Sequence, residues 1–223
     1  MRRTDKEHPT PTLPCQQGRE HSGEQGDRPL DQLVVEIRAC TICAAHLPLG
    51  PRPVFQASGS SRLLIVSQAP GRKAHLSGIP FDDVSGDRLR AWLGVDRDVF
   101  YDSRRIAIVP MGFCFPGSAP GGDLPPRPEC APTWRPRLLP LLTQVRLTLA
   151  IGQYAQAGLI GDWRGRTLTD TVLAWRTHLV RGVLPLPHPS PRNRVWVTRN
   201  PWFETELAPV LRERVAALLS AAA

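Results

Sequence analysis

The chain has 223 residues, of which 41% are hydrophobic, enough to bury one sizeable core. No apolar run approaches the roughly 20 residues that span a bilayer, and the stretch "MRRTDKEHPTPTLPCQQGREHSGEQGDRP" lacks the apolar segment of a secretory signal, so the expectation is a cytoplasmic protein outside any membrane. The net charge of +8 and pI near 10.1 suit a polyanionic partner through counterion release, although the excess of Arg over Lys is equally what a GC-rich coding sequence would give.

Residues 1–28 are polar, rich in Pro, Gly, Glu and Arg, and without hydrophobic period, which predicts a disordered tail with Cys15 a bystander. The domain is expected over 29–223. Asp31 is a candidate cap for a short helix, "DQLVVEIRAC", with Leu33, Val34 and Ile37 on one face. "TICAAHLPLGPRPVFQASGSS" reads as loop. "RLLIVSQAPG" is a buried strand at 63–66 entering a Gly/Pro turn. "SGDRLRAWLGV" is a helix with Leu89, Trp92 and Leu93 at helical spacing and Gly94 at its end.

"RIAIVPMG" supplies a second strand and "PRLLPLLTQV" a helix. "LTLAIGQ" is a third strand, and "QYAQAGLIG" a helix closed by Gly161. "RGVLPLP" is a fourth strand, and "NPWFETELAPVLRERVAALLSA" a C-terminal helix. Alternating strands and helices predict an α/β fold with a parallel sheet covered on both faces. Ligands of such sheets gather in loops beyond the carboxyl ends of the strands. "SQAPGRKAH", "PMGFCFPG" and "PHPSPRN" all leave strands in that direction and are rich in Gly and Pro, so they are expected to share one cleft.

Five cysteines is an odd number, and a reducing compartment disfavours a disulfide framework. Cys40 and Cys43 form a C-x-x-C. Cys114 and Cys130 bound "CFPGSAPGGDLPPRPEC", whose 15 intervening residues have no apolar period. Four such thiols suit zinc or an iron–sulfur cluster, since both accept Cys₄ ligation, and simple burial is the alternative.

"PLPHPSPRN" holds four prolines, so it is neither helix interior nor central strand. It is a stiffened loop carrying His188, Ser190, Arg192 and Asn193. "SQAPG" at 67–71, "GIPFDDVSGDRLRAWL", the two cysteine pairs and "LTLAIGQYAQAGLIG" together resemble the uracil-DNA glycosylase superfamily over about residues 30–219. They are most similar to its bacterial and archaeal iron–sulfur branch, family 4. "HPSPRN" resembles the loop of the single-strand-selective branch.

The resemblance implies a three-layer α/β/α fold around a four-stranded parallel sheet. It implies a 4Fe–4S cluster, in preference to zinc, held by Cys40, Cys43, Cys114 and Cys130. It also implies hydrolysis of the N-glycosidic bond of uracil in DNA, leaving an abasic site; single-stranded or mismatched DNA is the expected substrate, because base extrusion is cheapest there, and a monomer is expected. Such enzymes flip the nucleotide into a pocket. By the same resemblance, His188 would donate a hydrogen bond to uracil O2 as charge builds on the leaving base. Phe81 would stack on the base, and Ala69, Pro70 and Gly71 would line it. Lys73, Ser190, Pro191 and Arg192 would meet DNA.

Two positions depart from the family pattern. The superfamily activates or positions water from the turn after the first strand with Asp, Asn or Glu. Here Gln68 stands there, and an amide orients water without acting as a base. Asp82 and Asp83 are the alternative carboxylates. Where the iron–sulfur branch reads uracil with an asparagine, this chain has Pro110, which leaves base reading to the backbone and to Asn193 or Gln153. The expected activity is therefore excision of uracil or a related deaminated base such as hypoxanthine. The alternative is a non-catalytic binder of damaged DNA with a structural cluster.

Overall fold

The computed structural model describes residues 28–220; the tail and Cys15 lie outside the described residues. In chain order the elements are α1 (Arg28–Arg38), β1 (Leu63–Val66), α2 (Arg72–Ser77), α3 (Val84–Leu93), α4 (Arg97–Tyr101) and β2 (Ile106–Ile108). A small hairpin follows, β3 (Ser118–Ala119) and β4 (Gly122–Asp123). Then come α5 (Cys130–Leu138), β5 (Leu147–Ile151), α6 (Gly152–Ile160), α7 (Leu168–Leu173), α8 (Trp175–Leu179), β6 (Val183–Leu186), α9 (Arg194–Arg199) and α10 (Ala208–Ser220).

Four strands pair in the order β2-β1-β5-β6, all parallel, with Leu63 opposite both Ile106 and Leu147. The alternation of each strand sorts its side chains into two cores. Leu63, Ile65, Ile106, Ile108, Leu149 and Leu184 pack on one face against α3 and α10 through Leu89, Leu93, Leu211 and Val215. Leu64, Val66, Ala107, Val109 and Ala150 pack on the other against α1, α5 and α6 through Leu33, Ile37, Trp134, Leu138 and Ala155. Burial on both faces is why these strands read as unbroken apolar runs. Pro185 is tolerated because β6 is an edge strand, bonded only to β5. The three-layer α/β/α architecture predicted from the sequence is the one observed.

Some local expectations are corrected. α1 begins at Arg28, so Asp31 lies inside its first turn and is not its cap. "SQAPGRKAH" is only half loop, because α2 starts at Arg72 and buries His75. The helix expected over "PRLLPLLTQV" begins earlier, at Cys130, and tightens into a 3₁₀ turn at Leu139–Leu141. The C-terminal helix opens with a π turn, Phe203–Leu207, which ends two residues before Pro209, whose missing N–H cannot bond the preceding turn.

The chain runs from β1 outward to β2, then crosses back to β5 on the other side of β1. That reversal puts the crevice of the sheet beyond the ends of β1 and β5.

Candidate active site and cysteine cavity

At this crevice lies an open cleft of about 1860 Å³. Two of the three Gly/Pro-rich loops expected to converge do so, through Ser67–Gly71 after β1 and His188 with Ser190, Pro191, Arg192 and Asn193 after β6, joined by Gly152 and Gln153 at the start of α6. The third, after β2, contributes only Pro110; its Gly112, Phe113 and Cys114 turn to the cysteine cavity instead.

His188 is held from several sides. Its Nδ1 accepts a hydrogen bond from the Ser190 backbone N–H at 3.2 Å, and Asn193 Nδ2 donates to its carbonyl at 2.8 Å. Behind it, Gln156 Nε2 donates to Leu186 O at 3.0 Å, fixing the strand end from which the loop departs. Gly152 passes close below: a side chain there would reach within 3.6 Å of His188 Cβ, and its φ of +77° disfavours any other residue. Burial keeps the imidazole below its ordinary pKa, opposed by the weaker pull of the Asp83 and Asp123 carboxylates. The ring is therefore neutral near pH 7. With Nδ1 an acceptor, the proton sits on Nε2, which has no hydrogen-bond partner among the described residues.

Phe81 borders the same space, its ring centroid 6.4 Å from that of His188 with planes 30° apart. Its φ of +56° is the one left-handed backbone among the described non-glycine residues. Such a conformation costs of order 1–3 kcal/mol and persists only where the surroundings impose it. Here the Tyr101 hydroxyl donates to the Phe81 carbonyl at 3.2 Å, and that carbonyl occupies the place where a side chain at residue 86 would sit. Gly86 is thus required for the turn that presents the Phe81 ring.

The twist at Phe81 also separates two adjacent acids. Asp82 points out of the cleft and pairs with Arg97 at 2.9 Å, which holds its carboxyl below the usual range. Its candidacy as a catalytic carboxylate is not supported by this placement. Asp83 lines the cleft, and its Oδ1 caps α3 by accepting from Gly86 N–H at 3.0 Å.

Gln68 lines the cleft with its amide nitrogen engaged, donating to Leu124 O at 2.7 Å and Asp123 O at 3.4 Å. Asn193 is occupied in holding His188. Gln153, by contrast, is an exposed amide on the cleft wall with no partner among the described residues. Pro110 is buried in the wall.

Arg192 does not extend freely. Its Nη1 donates to Gly121 O at 2.9 Å, so the histidine loop touches the β3–β4 hairpin across the cleft. Ser190 and Pro191 line the cleft; Lys73 stands outside its lining, exposed on α2. Arg72, Lys73 and Arg194 are exposed and form no ion pair among the described residues.

Sequence reading missed Asp123, the acid on the hairpin, which lines the cleft. The signal was slight: it is the one carboxylate between Cys114 and Glu129.

A separate, small cavity is ringed by Cys40, Cys43, Cys114 and Cys130, with Pro51, Pro53, Phe113 and Trp134. All four thiols are free and half-buried. Burial, reinforced by the neighbouring thiols, pushes Cys114 up to about 11 and Cys130 up to about 12. The Phe113 backbone N–H donates to Cys130 Sγ at 3.3 Å. Among the described residues no three His, Cys, Asp or Glu side chains group closely enough to hold one metal ion. Arg135 is buried on α5; its Nη1 donates to Val109 O at 3.3 Å, while its Nη2 has no partner.

A doubly covered parallel sheet, with a polar cleft at its switch point and an aromatic ring 6.4 Å from a fixed histidine, places the protein in the α/β class. The chain belongs to the uracil DNA glycosylase superfamily, whose family model matches residues 54–212. That span takes in the cleft residues from Gln68 to Asn193, together with Cys114 and Cys130; Cys40 and Cys43 precede it. The superfamily is one of DNA glycosylases acting on damaged bases. No helix among the described residues is long and apolar enough to cross a membrane.

Proposed function

We propose that this chain hydrolyses the N-glycosidic bond of uracil, or of a related deaminated base, flipped out of single-stranded or mismatched DNA. The observation that carries the proposal is His188, neutral and fixed with its proton on the unpartnered Nε2. In a cleft closed by DNA, an Nε2–H aimed at a carbonyl of the departing base stabilises the negative charge that develops as the bond breaks. Phe81 offers a face for the base, and extrusion is cheapest at mismatches or in single strands.

Base reading falls to Gln153. Its amide donates and accepts, matching the adjacent C=O and N–H that deamination creates in both uracil and hypoxanthine. Excision of a class of deaminated bases is thus favoured over strict uracil specificity, in keeping with Pro110 having no side-chain donor or acceptor.

The four cysteines are the proposed ligands of a 4Fe–4S cluster. They surround a cavity without converging on a point, which suits a polynuclear group better than zinc, whose thiolates must lie about 2.3 Å from one ion. Burial raises the Cys43, Cys114 and Cys130 thiols, so these keep their protons unless a metal displaces them. The orphaned Arg135 guanidinium fits an anionic group beside Cys130, because a buried cation without a counter-charge is costly. When bound, the group would supply a rigid clip between the segment after α1 and the start of α5. Iron content and broad visible absorbance test this, and colourless protein with stoichiometric zinc overturns it.

Activity is tested with end-labelled oligonucleotides carrying uracil or hypoxanthine, single-stranded or opposite each base, followed by alkaline cleavage. Strand breaks that disappear in His188→Ala support the glycosylase. No cleavage on any substrate, with DNA binding retained, would establish a damage binder instead.

A further inference from the structure

The glycosylase reading leaves the hydrolytic water without a carboxylate in the turn after β1, where Gln68 stands. The cleft nevertheless holds two carboxylates. Asp83 has one oxygen committed to the α3 cap. Asp123 comes from the opposite wall, on the β3–β4 hairpin. Its Oδ1 accepts from the Ser118 hydroxyl at 2.7 Å. Its Oδ2 reaches over the glycine of the β1 turn, 3.4 Å from where a side chain at Gly71 would begin, whereas the nearer Asp83 oxygen is 3.8 Å from that point. The lack of a side chain at Gly71 keeps this space open.

Gln68 and Asp123 are also mechanically joined. The Gln68 amide nitrogen bonds the backbone carbonyls of Asp123 and Leu124, and Arg192 bonds Gly121 on the same hairpin. The hairpin is thus fastened to the turn below it and to the histidine loop across from it. We infer that Asp123 is the catalytic carboxylate of this cleft, delivered by the hairpin, and that Gln68 acts as a positioning residue holding that hairpin.

The step balances without a co-reactant. The water oxygen forms a bond to C1′ as the C1′–N bond breaks. The bonding pair leaves with the base, whose charge is met by His188 Nε2–H. The water proton passes to the Asp123 carboxylate and then to solvent. Asp123 is exposed before DNA binds, so water has access to it.

The inference rests on the glycosylase reading and is tested on the full chain by single-turnover base release from a uracil-containing oligonucleotide, with DNA affinity measured in parallel. Asp123→Asn is expected to slow release about 10²-fold or more, the size of a lost general base, with affinity unchanged. Ser118→Ala should slow it less. Gln68→Glu gives the sharper result. A carboxylate there would face two backbone carbonyls and detach the hairpin, so release should slow. If residue 68 itself addressed the water, release would accelerate.

Asp123→Asn as fast as the wild type, or loss confined to Asp83→Asn, overturns the inference and leaves the glycosylase standing. A fall in affinity equal to the fall in rate also overturns it, by making Asp123 a DNA contact. A wild type that releases no base from any substrate removes the glycosylase reading, and the inference with it.

Discussion

The active cleft and the cysteine cavity are built on opposite terms. In the cleft, polar groups that set geometry are satisfied within the protein: His188 Nδ1 by Ser190, its carbonyl by Asn193, Phe81 O by Tyr101. What remains unpartnered there is the face a substrate would meet, Nε2 of His188 and the amide of Gln153. In the cavity the structural groups themselves are unsatisfied. Four thiols are free, burial raises the pKa of Cys43, Cys114 and Cys130, and one nitrogen of the buried Arg135 nearby has no hydrogen-bond partner. On the proposed function, one site is preorganised for a transient guest and the other would hold a permanent one. Preorganised donors are what lower a barrier, whereas buried polar groups left open lower stability.

That contrast predicts where stability and activity separate. Cys130→Ala should have the largest effect on the fold, a loss of several kcal/mol read by chemical denaturation, because a structural metal site contributes its binding energy to folding. Visible absorbance should vanish with it. An unchanged midpoint would mean the cavity is filled by nothing and the two sites are not different in kind. His188→Ala should do the reverse, slowing base release about 10²–10³-fold, the magnitude of a lost oxyanion-type donor, while leaving the melting temperature and DNA affinity close to wild type. A parallel loss of stability would show that the His188 loop is as dependent on its side chain as the cavity is on its ligand.

Gly86→Ala tests the preorganisation. The new methyl group would enter the space of the Phe81 carbonyl, so the left-handed turn must relax. The expected cost is about 1–3 kcal/mol in stability, together with a rise in KM as the ring leaves its position. If KM holds, Phe81 is core packing only and the cleft is less rigid than its hydrogen bonds indicate.

The sequence made the sheet and the cleft legible for a simple reason. Four apolar runs, each entering a Gly/Pro turn, are local signals, and in a parallel sheet those turns must share one edge. Phe81 and His188 were legible through motifs. Asp123 was not, because an acid in a proline-rich loop has no period and acquires meaning only when the hairpin folds back over Gly71. Asp82 and Asp83 could not be told apart because adjacent residues look alike in sequence; the backbone at Phe81, with φ of +56°, decides which faces in. The burial of His75 was not legible either, because α2 is six residues long, too short for its sequence to show a buried face.

Acidification offers the gentlest way to separate the two regions. Burial lowers the pKa of His188, and likewise of His178 and His75, so the folded protein declines protons that the unfolded chain accepts. Below the ordinary imidazole pKa of about 6.5, the unfolded state binds more protons, and stability falls as pH falls. Above 6.5 the contribution is complete. Chemical denaturation at a series of pH values should show a decline beginning near 6.5, reduced in His178→Gln, which removes a buried imidazole far from the chemistry. Base release should behave differently over the same interval. His188 stays neutral with its Nε2 proton in place, so no step near pH 6.5 is expected in the single-turnover rate. Such a step, absent from the residual activity of His188→Ala, would mean that the imidazole charges in the cleft and that its burial does not control its protonation.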